Sequence, residues 1–119
     1  MCTERTPSGP TEPERATITD ESALEAILET DTLVLIEFHA DWCAACSLVT
    51  PALRQLQSEY PFTLARVDVD TDAGDSIADR YDVSGLPTIV VVEDGEHVDM
   101  RRGIQQKGTL RTLLQRNLD

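Results

Sequence analysis

Lysine is almost absent from this chain of 119 residues: Lys107 stands alone beside nine arginines, while aspartate and glutamate together number 22. The formal net charge is −12. Such an excess opposes nucleic-acid binding, because a polyphosphate repels so acidic a surface and basic neighbours amount to pairs such as Arg101-Arg102. Long apolar runs are absent too. The run over residues 33–36 is far shorter than the roughly 20 residues a membrane helix needs, so no membrane contact is expected and the chain reads as soluble. No basic segment followed by an apolar one opens the chain, nothing predicts export, and the cytoplasm is the expected location.

A field of this sign costs stability through self-repulsion at low salt, whereas at molar salt the Debye length shrinks to about 3 Å and the repulsion is screened. A host with a salty interior is therefore expected. The competing reading is an acidic protein from an arginine-favouring genome.

What the chain does have is enough apolar residue, 40% of the total, for one core and one domain. Residues 1–15 hold Pro7, Gly9, Pro10 and Pro13 among Thr, Ser and Glu without apolar periodicity, which predicts a flexible tail before a domain over 16–119. A short strand near 16–19 precedes a helix over 21–29, where Leu24, Ile27 and Leu28 share a face behind an Asp20 cap. Residues 33–39 read as a central strand, apolar on both faces. In residues 43–60, Val49, Leu53, Leu56 and Tyr60 step at helical spacing, with Pro51 expected to kink the helix.

A strand over 62–69 and a helix over 76–81 follow, then a β-branched strand over 88–92. Asp94-Gly95 signals a hairpin into a strand over 97–102, and Leu110, Leu113, Leu114 and Leu118 line one face of a last helix over 107–118. The order βαβαβαββα predicts an α/β fold, a three-layer α/β/α sandwich with a mixed central sheet: parallel pairs joined by helices plus an antiparallel hairpin.

Two of the three cysteines stand in Trp42-Cys43-Ala44-Ala45-Cys46, at the junction of the buried strand and a helix. A disulfide across two residues closes a tiny loop and is a poor staple, so redox chemistry is the better use. Unpaired N–H groups and the macrodipole at a helix N-terminus favour a thiolate at Cys43, the nucleophile, while Cys46, one turn in and shielded, can resolve a mixed disulfide. A zinc site would need a second ligand pair, and none is at hand: His39 and His97 are isolated and Cys2 is in the tail, so no metal is expected. Asp68, Asp70, Asp72 and Asp79 fit positions of a calcium-loop template, but Ala73 stands where glycine is needed, and these acids read better as a solvated loop.

The run from Leu35 through Trp42-Cys43-Ala44-Ala45-Cys46, then Pro51, then Val83-Ser84-Gly85-Leu86-Pro87-Thr88, then Asp94-Gly95 and Gly103, resembles the thioredoxin family over about residues 16–119. The resemblance implies a cis Pro87 facing Cys43, with the backbone of Leu86 presented to an extended substrate peptide. It also implies that Trp42, Gly103 and Ile104 line that peptide groove, and that Glu37, among apolar neighbours and with a raised pKa, exchanges protons with Cys46. The family usually has Asp at the Glu37 position, and Arg66 stands where Lys is usual near that acid, so Arg66 should hold Glu37 ionised more firmly. Ala44-Ala45 replaces the usual Gly-Pro, and this dipeptide affects the balance of dithiol and disulfide. His39 replaces a common aromatic, where it can titrate and tune the thiolate or simply pack.

The function so implied is a protein disulfide reductase with no bound cofactor, acting as a monomer on disulfide-containing proteins. Its oxidised pair would be reduced by a separate thioredoxin-reductase-type enzyme. A disulfide donor or isomerase on the same fold is the alternative within redox chemistry, and a peptide-binding or chaperone module with incidental cysteines is the alternative outside it.

Overall fold

Continuous apolar runs along the central strands and 3.6-residue periodicity along the helices resolve into nine elements among the described residues. The computed structural model describes residues 15–118. Of the tail expected over residues 1–15, only Arg15 falls within that range, and it already belongs to a strand; the rest, Cys2 included, lies outside the described residues. The elements are β1 (Arg15–Ile18), α1 (Glu21–Thr30), β2 (Leu33–His39), α2 (Cys46–Leu56), β3 (Thr63–Asp68), α3 (Asp72–Arg80), β4 (Thr88–Glu93), β5 (Glu96–Arg102) and α4 (Lys107–Leu118). Among the described residues no helix is long and apolar enough to cross a membrane.

The sheet runs β1-β3-β2-β4-β5, which puts β2 at its centre. On β2, Val34, Ile36 and Phe38 pack with Leu24, Leu28 and Ile77 of α1 and α3 on one face. Leu33 and Leu35 pack with Val49, Leu53, Leu110 and Leu113 of α2 and α4 on the other. Because side chains alternate along a strand, Glu37 falls on this second face, under α2. The three expected layers are present, but the direction of one strand is corrected. β1, β3 and β2 are parallel, whereas β4 enters antiparallel to β2 even though a helix, α3, precedes it. The antiparallel part is thus two pairings wide, β2 with β4 and β4 with β5, not the terminal hairpin alone. That hairpin turns on Asp94 (φ 52°) and Gly95 (φ 82°), the positive dihedrals a two-residue turn requires.

Caps decide where the expected boundaries move. The Asp20 carboxylate accepts from the Ala23 N–H at 2.7 Å, as its position predicted. α3 starts at Asp72, four residues before the expected 76, because the Thr71 hydroxyl accepts from the Gly74 N–H at 2.9 Å and acids at 72 and 75 suit a helix N-terminus. Asp72 and Asp79 are therefore helical residues and not part of a solvated loop. α2 is shorter than the expected 43–60: it begins at Cys46 and ends at Leu56, its last turn tightening through i→i+3 bonds such as Ser58 N–H to the Gln55 carbonyl. It continues through Pro51, which withdraws the N–H that the Ser47 carbonyl would otherwise receive.

The tight start of α3 gives a prediction whose sign opposes helix propensity. A Cβ on Gly74 would lie 1.8 Å from the Asp68 carbonyl oxygen and 2.7 Å from its carbon, whereas one on Gly108 in α4 would meet nothing within 4 Å. Gly74→Ala should therefore destabilise by about 2 kcal/mol or more through backbone displacement. Gly108→Ala should stabilise by up to about 0.8 kcal/mol. Urea unfolding of both variants checks this; a stabilised Gly74→Ala would refute the close approach.

Candidate active site

The C-terminal end of β2 delivers the chain into residues 40–45, and there the two cysteines meet. Cys43 and Cys46 are disulfide-bonded with Cα atoms 5.4 Å apart. Cys43 is half-buried, while Cys46 is only 4% exposed, so an incoming sulfur reaches Cys43 first. The helix was expected to start at Cys43 with Cys46 one turn inside; instead Cys46 is its first residue and Cys43 precedes the Ala45 cap position. A helix N–H still faces the Cys43 sulfur despite this shift, for a local reason. Ala45 offers no side-chain cap, and the first helical N–H, that of Cys46, is directed at Cys43, 3.2 Å from its Sγ and 3.2 Å from its carbonyl oxygen. A negative charge developing on the Cys43 sulfur would meet that donor at the positive end of α2. Ala44 and Ala45 form the intervening turn, with Ala44 exposed and its carbonyl accepting from the Ser47 N–H at 3.1 Å.

Glu37 is fully buried on the α2 side of β2. Its two carboxylate oxygens have separate partners: Arg66 Nε donates to Oε1 at 3.1 Å, and the Thr50 hydroxyl donates to Oε2 in a short hydrogen bond. Arg66 sits opposite Glu37 in the β2–β3 register with its side chain 26% exposed, so its other guanidinium nitrogens can reach solvent. Thr50 belongs to α2, one helical turn beyond Cys46, and is itself buried. No sequence signal singled it out, although a hydroxyl four residues after Cys46 on the apolar stripe of α2 is where one could have been sought.

His39, two residues along the same face from Glu37, ends β2 half-buried, and its Nε2 has no hydrogen-bond partner. Burial first, then the nearby Arg66 charge, hold its imidazolium below the usual histidine range; Glu37, Asp68 and Asp41 oppose this less strongly. At neutral pH it is a neutral ring and brings no positive charge to a thiolate.

The remaining site residues converge by sheet register. Thr88 stands opposite Phe38 on β2 and Arg102 on β5, which puts Leu86-Pro87 and Gly103-Ile104 at the sheet end from which residues 40–45 depart. The Leu86–Pro87 bond is cis, and the Pro87 carbonyl accepts from the Gly103 N–H at 2.8 Å. Pro87 is buried, Leu86 half-buried and Ile104 exposed. Trp42 is not a core aromatic: it is 69% exposed, and its indole Nε1 donates to Asp70 Oδ2 at 2.8 Å. Asp70, read from sequence only as one of several loop acids, is thus a fixed neighbour of the site, and a 28-residue separation left no local signal of it. Trp42, Leu48 and Ile104 are three of the five large apolar side chains exposed among the described residues, and all three belong to segments around the cysteine pair.

Residues 14–116 match the family model described as Thioredoxin. "Thioredoxin 1" of Synechococcus elongatus is 33% identical over 103 residues, 87% of this chain and 96% of that protein. "Thioredoxin" of Chlamydia trachomatis is 37% identical over 86 residues, 71% of this chain and 82% of that one. Among solved structures, a mutant thioredoxin from Halobacterium salinarum superimposes with a TM-score of 0.84 at 29% identity, covering 93% of this chain and 97% of that one.

Proposed function

The chain belongs to the thioredoxin family and carries that family's thiol-disulfide oxidoreductase function, and from this premise we propose that it works as a reductant of protein disulfides. The observation that carries the reading is the Cys43–Cys46 pair itself, with an accessible sulfur at the helix start and a shielded one behind it. The Cys43 thiolate attacks a substrate disulfide, forming a Cys43–substrate mixed disulfide and releasing one substrate thiolate. Cys46 then loses its proton to Glu37 and attacks the Cys43 sulfur, closing the Cys43–Cys46 bond and releasing the second substrate thiolate. Two electrons pass from the pair to the substrate, and a thioredoxin-reductase-type enzyme restores the dithiol, with no cofactor bound to this chain.

Trp42, Leu86, Pro87, Gly103 and Ile104 form the surface for the substrate peptide, the backbone of Leu86 pairing with it as an added strand would. Ala44 and Ala45 set the potential, Arg66 steadies Glu37, and His39 packs beside them. The protein acts as a cytoplasmic monomer. Equilibration of the pair in defined thiol buffers at molar salt tests the direction. A value of about −270 mV is expected for a reductant, and one of about −120 mV would make the protein a disulfide donor.

We also propose a salt-rich cytoplasm as its setting, supported by the net charge of −12 carried with a single lysine. The melting temperature should rise between dilute buffer and molar KCl, by about 5 °C for each kcal/mol of repulsion screened. Equal melting temperatures in the two would remove this proposal.

A further inference from the structure

Glu37 is read as the acceptor of the Cys46 proton, and its own hydrogen bonds name the group beside it. Glu37 lies on β2 and Cys46 on α2, both oxygens of Glu37 are already engaged, and neither is engaged by Cys46. The group that donates to Oε2 is the Thr50 hydroxyl, whose oxygen also lies 3.3 Å from the Cys46 carbonyl oxygen. Cys46 and Thr50 are four residues apart on one helix face, both buried, and helical side chains lean toward the N-terminus, so the hydroxyl of Thr50 leans onto the turn that carries the Cys46 thiol. A threonine hydroxyl has one hydrogen to give and two lone pairs to receive. Given to the carboxylate, that hydrogen leaves the oxygen free to accept; turned to the Cys46 carbonyl, it leaves the oxygen free to accept from a protonated Glu37.

We propose that Thr50 relays the proton of the second half-reaction, its hydroxyl bridging the Cys46 thiol to Glu37. The proposal rests on the reductase reading of Glu37. When the mixed disulfide has formed on Cys43, the Cys46 S–H proton passes to the Thr50 oxygen as the Thr50 hydroxyl proton passes to Glu37 Oε2. The products are a Cys46 thiolate, a neutral Glu37 and an unchanged Thr50. The thiolate attacks the Cys43 sulfur, the bond from Cys43 to the substrate sulfur breaks, and Glu37 returns its proton to solvent. No electrons beyond the dithiol pair are needed.

The test uses the reduced full chain, every form carrying Cys2→Ser so that Cys43 and Cys46 are its two thiols, with Ellman's reagent, an aromatic disulfide. One thionitrobenzoate is released when Cys43 attacks and a second when Cys46 resolves the adduct. Thr50→Val keeps the shape and removes the hydroxyl. It should leave the first release at the wild-type rate and slow the second about tenfold or more at neutral pH, a share of the roughly 10²–10⁴ that a positioned base supplies. The deficit should shrink as pH rises and hydroxide takes over. Thr50→Ser, which restores the hydroxyl, should resolve within about twofold of wild type, and a merely structural role would not give this pattern of rescue with pH dependence. If Thr50→Val folds poorly, Thr50→Ala reads the same step.

The proposal is overturned if the Val or Ala variant resolves at the wild-type rate while Glu37→Gln slows, and equally if the Ser variant is as slow as the Val variant. Failure of the underlying reading looks different. A normal second release in Glu37→Gln would remove Glu37 as the acceptor, and with it this bridge. A second release that persists in Cys46→Ala would remove the cysteine pair.

Discussion

Replacing Cys43 with serine is expected to reduce disulfide reduction to the uncatalysed rate, measured as turbidity of insulin reduced in the presence of dithiothreitol. The reason is the order of access: Cys46 is 4% exposed, so with Cys43 gone no sulfur of the pair meets a substrate. A serine at 43 would receive the same N–H that now reaches the Cys43 sulfur at 3.2 Å, but a hydroxyl is far too weak an acid to be ionised by one helix terminus at neutral pH. Cys46→Ala should behave differently. Cys43 remains reactive and no group resolves the adduct, so substrate proteins accumulate as mixed disulfides that thiol reductants release. Turnover retained by Cys43→Ser, or no adduct on Cys46→Ala, would contradict the assignment of attacking and resolving sulfur.

The second large effect concerns the ion pair beneath the site. Arg66→Met leaves the fully buried Glu37 with only the Thr50 hydroxyl as a partner, and removing one member of a buried pair costs roughly 3 kcal/mol. Against a total stability of about 5–15 kcal/mol for a domain, that is a large fraction. It should appear as a lowered urea midpoint at neutral pH with unchanged slope. The double variant Glu37→Leu with Arg66→Met should recover most of the loss, because apolar replacement of both partners removes the desolvation penalty together with the attraction. The Arg66 side chain is 26% exposed, and if water already screened the pair the single variant would lose less than about 1 kcal/mol. That result would deny Glu37 its dependence on Arg66. A double variant that recovers its stability yet resolves the mixed disulfide slowly would show the pair serving the proposed chemistry above it more than stability.

Much of this was legible in the residues. The β2 strand, α4 and the Asp94-Gly95 hairpin lie where apolar spacing and turn chemistry put them, since each depends on residues within a few positions of one another. The cysteine pair was legible for the same reason: two thiols three residues apart at a strand-to-helix junction define their own geometry. The start of α3 was missed because the cap outweighed the periodicity: Thr71 and two acids in the first turn nucleate a helix that the apolar pair Ile77 and Tyr81 alone would start later.

The sequence by itself determined the order of elements, the two apolar faces of the central strand and the sulfur chemistry at its end. Only the tertiary structure decided that β4 runs antiparallel to β2, because the same β-branched pattern serves either direction and the choice rests on where the chain re-enters after α3. Only it joined Trp42 to Asp70 and Glu37 to Thr50, across 28 and 13 residues, whereas Arg66 beside Glu37 was already expected from the family resemblance. Periodicity records which way a side chain faces. It does not record what waits on that face, and the partners of a buried carboxylate are set by sheet register and helix docking, which bring distant residues within hydrogen-bond reach.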